Sequence, residues 1–278
     1  MRLIRTVSLF VFVISISIVS VTAADTTILC ASTTSTQNSG LFDHMLPLIE
    51  KKTGIRVKVI AVGTGAALEI GKRGDADVVL VHAKDDELKM VSEGWFVDRH
   101  DIMYNDFILL GPPADPAGVR KMKAAHQALA SVASGKAAFV SRGDNSGTNK
   151  KELKLWKAAG LDPKGMDWYM EAGQGMSRTL RIAGEKKAYV LTDRGTYLSL
   201  QDKERLNLEI VFEKDPALFN QYGVMAVNPE KHPAVKYKAA MTFINWLISE
   251  EGQKAIASCK DDRGNQLFTP NAKRKDND

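Results

Sequence analysis

Apolar positions along this chain switch repeatedly between two periods, so strands and helices alternate. Residues 26–31 form a short apolar run. Residues 40–52 carry Leu41, Met45, Leu48 and Ile49 at helical spacing, with Gly54 as a stop and Pro47 as a point where the helix should kink or split. Residues 55–62 alternate and then turn fully apolar, which predicts a strand, and 66–73 a short helix closed by Gly74. The run 76–82 suits a buried parallel strand. The pattern continues with a helix over 85–93, a strand over 104–110, a helix over 119–133 and a strand over 137–140. Beyond it, helices are predicted over 150–159, 177–186, 196–201, 233–248 and 251–258, and strands over 168–171, 188–191, 208–212 and 222–227. Repeated βα units predict an α/β fold with parallel sheets and ligand loops at the carboxyl ends of the strands.

Three hydroxyl- and glycine-rich stretches occupy that place: Ala31-Ser32-Thr33-Thr34-Ser35-Thr36, Gly63-Thr64-Gly65, and Ser141-Arg142-Gly143-Asp144-Asn145-Ser146-Gly147-Thr148. Each opens a predicted helix, where free N–H groups and a partial positive charge suit an anion. Five consecutive hydroxyl side chains, Ser32 to Thr36, exceed what helix capping uses. Arg142 adds a permanent charge and a fork of donors matched to oxyanions. Asp144 is placed to pair with it, while Ser146 and Thr148 supply hydroxyls. Thr192 lies at a further strand end, and Asp193 and Arg194 read as a structural pair.

Nucleotide fingerprints fail here. Gly63-Thr64-Gly65-Ala66-Ala67-Leu68 lacks the third glycine of a dinucleotide motif, and Ala66 and Arg73 stand where a phosphate loop needs Gly and Ser or Thr. His44, His82, His100, His126 and His232 have no metal-ligand spacing, no Gly-x-Ser-x-Gly elbow is present, and no catalytic set emerges. The lone histidines read as structural or solvated, and Trp95, Trp156 and Trp246 as core.

Charge and the chain start add the compartment. Arg2 and Arg5, an apolar stretch over 7–21 and the small residues Ala23 and Ala24 read as a signal peptide spanning 1–24, cleaved on export. Loss of Arg2 and Arg5 takes the formal charge from +5 to +3. Basic residues are dispersed except at Lys273-Arg274-Lys275, so nothing marks a nucleic-acid binder. Export permits a Cys30–Cys259 disulfide, and two buried free thiols fit equally well.

Across nearly the whole mature chain these segments resemble the periplasmic tungstate-binding proteins of ABC importers. The carrying residues are Thr33-Thr34-Ser35-Thr36, Ser39-Gly40-Leu41, 57–65, Gly74-Asp75-Ala76-Asp77-Val78, Val81-His82-Ala83, Met103-Tyr104-Asn105-Asp106-Phe107, Ser141-Arg142-Gly143-Asp144 and Leu191-Thr192-Asp193-Arg194-Gly195. Ser32 and Asn149 depart from the pattern, where Thr and His are expected. The resemblance implies a two-lobe, type II-like periplasmic-binding-protein fold with two hinge strands, crossing near 106–110 and 222–227. Lobe I would comprise 25–107 plus 225–278, and lobe II 108–224. Thr33, Thr34, Ser35 and Thr64 would face Arg142, Ser146, Thr148 and Thr192 across the cleft. The implied function is capture of tungstate, with molybdate as a second guest, by a periplasmic monomer that delivers it to a membrane permease without a metal site, cofactor or enzymatic step. Two alternatives stay open: a phosphate-binding protein, whose Arg–Asp–Ser-Gly-Thr loop is similar, and an exported phosphate or sulfate ester hydrolase.

Overall fold

The computed structural model describes residues 26–200 and 203–273. The signal-peptide reading and Arg274-Lys275 of the basic tail lie outside the described residues. The chain begins with β1 (Thr26–Thr33), α1 (Thr34–Asn38), α2 (Leu41–Thr53), β2 (Ile55–Val62), α3 (Thr64–Lys72), β3 (Val78–Val81) and α4 (Lys84–Ser92). β1 pairs in parallel with β2 on one side and β3 on the other, so the loops leaving their carboxyl ends gather at one edge. α2 runs unbroken through Pro47. The proline removes one backbone hydrogen bond, and burial of Leu41, Phe42, Met45 and Ile49 against the sheet holds the helix together. Gly40 and Gly54, both left-handed, bracket it.

β4 (Phe96–Gly111) is the longest strand and belongs to both halves of the molecule. Its continuation is α5 (Ala125–Ser134), β5 (Phe139–Ser141), α6 (Gly147–Ala158), β6 (Tyr169–Glu171), α7 (Met176–Glu185), β7 (Val190–Asp193), α8 (Arg194–Ser199), β8 (Glu209–Phe212) and β9 (Phe219–Val227). α9 (Tyr237–Ile248), α10 (Glu250–Ala257) and the short β10 (Thr269–Pro270) complete the described chain. From Phe96 to Asp106, β4 pairs with β9, and β9 pairs in turn with β3. From Phe107 to Gly111, β4 pairs instead with β7 and β8.

The sheet is therefore mixed rather than parallel. β4 and β9 run antiparallel to their neighbours because they carry the chain from one half to the other. The whole of β9 from Phe219 lies in the first half, so the return crossing falls between Phe212 and Phe219, ahead of the 222–227 segment where it was expected.

Each half has its own apolar interior. In the first, α2, α9 and α10 cover one face of the sheet and α3 and α4 the other. In the second, Trp156, Phe139, Tyr169 and Tyr189 centre one cluster, and Leu180, Val190 and Leu208 belong to the other. Cys30 and Cys259 are buried in the same interior cluster as free thiols, not a disulfide. Burial pushes them up to about 12 and about 11 respectively. Among the described residues no helix is long and apolar enough to cross a membrane.

Candidate functional site

The hydroxyl run at the end of β1 divides its labour. Ser32 Oγ donates to the Leu80 carbonyl at 2.6 Å and is a strut between β1 and β3. Thr33 caps α1, its Oγ1 accepting from the Thr36 amide and lying 2.7 Å from Thr36 Oγ1 and 3.2 Å from Ser35 Oγ. Thr34 is half-buried at the first helical position. Thr64 opens α3 fully buried, and its Oγ1 accepts the Gly147 amide at 2.9 Å. That bond joins the first half of the molecule to the second. Because Thr64 accepts there, its own hydroxyl proton stays available.

The Arg142 loop is built from its surroundings inward. Ser141 Oγ donates to buried Glu152 at 2.7 Å and accepts from the Gly143 amide and from Asn149 Nδ2. Asn149 Oδ1 accepts the Asn145 amide, so the residue standing where His was expected clamps the loop from within. Gly143 is left-handed, and a Cβ there would meet Glu171 Cβ at 2.6 Å. Within this frame Arg142 is 3 % exposed and pairs with Asp144, as its position beside that carboxylate predicted. The second Asp144 oxygen accepts the Ser146 amide, so both are engaged. Ser146 caps α6 by accepting from Asn149, which leaves its proton free.

Buried polar atoms without a partner mark where a ligand would act, since such atoms are costly unless paired. Among the described residues seven have no hydrogen-bond partner: Arg99 Nη2, Asp101 Oδ1 and Trp246 Nε1 lie away from this loop, whereas Arg142 Nε and Thr148 Oγ1 are donors within it, and Asn105 Nδ2 and Asp193 Oδ2 complete the set. Thr192 is fully buried, but its hydroxyl donates to the Asp193 carbonyl at 3.2 Å. Asp193 and Arg194 do not pair. Asp193 caps α8 through the Thr196 amide, whereas Arg194 binds Asp106 and Glu213, because successive residues at the helix start point apart.

His82, which the chain presents as one of five unplaced histidines, sits in the middle of this site. Its Nε2 lies 3.2 Å from Ser35 Oγ and its Nδ1 2.9 Å from Asn220 Oδ1, and its ring stacks on Tyr222. A Cβ on Gly147 would fall 2.9 Å from its Cε1, so the ring packs directly on the start of α6. The legible signal was position: His82 directly follows fully apolar β3, the same strand-end place as the hydroxyl loops. A pocket of about 410 Å³ opens outward from His82 and Gly147 between α4 and α6. Across its mouth Lys150 pairs with Asp86 and Lys154 with Asp85.

The structure thus brings Thr33, Ser35, Thr64, Ser146 and the Arg142 loop to one junction between the two halves, with Thr148 buried beside them. Residues 20–251 match the model of the PBP superfamily domain. The tungstate-binding protein TupA of Peptoclostridium acidaminophilum is 49 % identical over 254 residues, which cover 90 % of this chain and 88 % of that protein. The chain belongs to the PBP superfamily, in the family of these tungstate-binding proteins. Two solved structures agree with that membership. The tungstate ABC transporter protein of Geobacter sulfurreducens is 53 % identical, with a TM-score of 0.76 over 83 % of this chain and 97 % of its own. The tungstate-binding protein TupA of Desulfovibrio alaskensis G20 is 46 % identical, with a TM-score of 0.77 over 89 % of this chain and 100 % of its own. For this tungstate-binding family member, the architecture and the junction between the halves are thus those of a solute-binding protein.

Proposed function

We propose that this chain captures tungstate, and molybdate as a close analogue, in the cleft between its two halves and presents it to an ABC-importer permease. In this reading the leader exports the chain to the periplasm, where it acts as a monomer without cofactor or chemical step. Residues 26–106 with 219–273 would move as one lobe and 107–218 as the other, hinged on β4 and the crossing before β9.

One observation carries the reading. The Arg142 loop offers unpartnered or available donors, at Arg142 Nε, Thr148 and Ser146, while both Asp144 oxygens are already engaged. A fully deprotonated dianion needs donors only, whereas protonated phosphate also needs an acceptor. Each hydrogen bond to a charged acceptor contributes about 1.5–3 kcal/mol net, so a ring of hydroxyls, amides and one guanidinium can offset dehydration of the anion. The named function of the relatives supports the same choice. Phosphate has one specific observation in its favour, the unpartnered Asp193 oxygen, which would accept its proton.

Thermal unfolding with an excess of each anion separates these readings. A ligand present at about 1,000 times its Kd stabilises by about 4.1 kcal/mol, so tungstate should raise the Tm most, followed by molybdate. A larger shift with phosphate would overturn the proposal.

A further inference from the structure

His82 is held in a fixed tautomer by residues from the hinge. Asn220 Nδ2 donates to Asn105 Oδ1 at 2.7 Å, directly across the β4–β9 pairing, which leaves Asn220 Oδ1 as the acceptor. The proton of a neutral His82 therefore sits on Nδ1, pointing at Asn220, and Nε2 presents a lone pair that takes the Ser35 hydroxyl proton. Neutral His82 thus places an acceptor among the donors of the cleft and engages a serine otherwise free to donate to an anion. The ring cannot turn away easily. It is stacked on Tyr222 with centroids 4.7 Å apart, flanked by Phe107, and pressed against Gly147.

The charged groups facing it come from three elements. Asp193 at the end of β7 favours the imidazolium, while Arg142 after β5 and Lys151 on α6 oppose it. Burial outweighs them all and holds His82 below its ordinary range. A bound dianion would neutralise the field of Arg142 and add negative charge beside the ring. Resting on the proposed oxyanion cleft, we infer that His82 is itself an anion-site residue and that binding takes up one proton from solvent. Nε2 changes from acceptor of the Ser35 hydroxyl to an N–H donor, and Ser35 is released to donate to the anion.

Calorimetric titration of tungstate into the intact protein at pH 7 to 9, in several buffers of different ionisation enthalpy, reads the proton count directly. The observed heat should vary with buffer enthalpy with a slope approaching one proton, and by linkage affinity should fall up to tenfold per pH unit wherever that slope is near one. His82→Gln keeps an amide donor and removes the titration, so its slope should be near zero and its affinity nearly constant with pH. Normal tungstate binding by the wild-type protein with no buffer dependence would overturn the inference while leaving the cleft intact. So would a variant that retains the wild-type slope. Absence of any tungstate binding by the wild-type protein would remove the cleft reading itself. The wild-type measurement stands alone should the variant fold poorly.

Discussion

Arg142 shows how neighbours prepare a single residue for the anion-binding role proposed for it. Asp144 fixes one edge of the guanidinium, and Nε remains buried with no partner among the described residues. Arg142→Gln should weaken tungstate by more than about 1.4 kcal/mol, or tenfold, in calorimetric titration; unchanged affinity would take Arg142 out of the site. Most of this residue-level chemistry was legible from sequence because it is local. Thr33, Ser35, Thr64, Arg142 and Ser146 all sit where a strand gives way to a helix, in short stretches that stand out in the sequence by their hydroxyls and glycines. His82 was marked in the sequence only by its position after β3, because its contacts come from Asn220, 138 residues away, and from a serine 47 residues before it. Thr192 reads in sequence as a site donor or a structural hydroxyl alike, and its hydroxyl is directed to a neighbouring carbonyl.

At the scale of elements, α6 and β4 carry the argument. The first turns of α6 hold Ser146, Gly147 and Thr148 at the junction, and Glu152 one turn later anchors Ser141, Tyr169 and Trp156 behind them. Burial pushes the Glu152 carboxyl up to about 7, against the pull of those three donors. A folded-state value above the ordinary 4.5 means the folded protein holds this proton more tightly than the unfolded chain. Glu152 therefore costs stability as pH rises from about 4.5 to about 7. His82, held low, acts with the opposite sign in part of that window, so the readout is a difference. Urea unfolding of wild type and Glu152→Gln at pH 5 and pH 8 should show wild type losing stability relative to the variant at the higher pH. A constant difference would mean the carboxyl is ionised throughout. β4 explains the largest gap in the strand pattern. Its first half carries Asp98, Arg99, His100 and Asp101, which lie outside the strand predicted over 104–110. In the fold Arg99 is drawn inward by the fully buried Glu87, and that ion pair keeps a polar stretch in the sheet.

For the whole molecule, the two halves meet through few but specific contacts. Thr64 holds Gly147, Thr196 donates to the Ser35 carbonyl, and Lys150 and Lys154 face Asp86 and Asp85 at the mouth. The α/β alternation predicted such an architecture, but not that the sheet would be mixed or that the return crossing would precede β9, since strand direction depends on long-range pairing. A cleft whose walls belong to separate interiors can open and close about β4, and a dianion gripped from both sides favours the closed arrangement. On the proposed function, this cleft selects a fully deprotonated, tungstate-sized anion. Displacement calorimetry tests it most directly, with tungstate titrated into protein saturated with phosphate and then the reverse. Tungstate should displace phosphate at one site per chain, and phosphate should not displace tungstate. Displacement of tungstate by equimolar phosphate would contradict it.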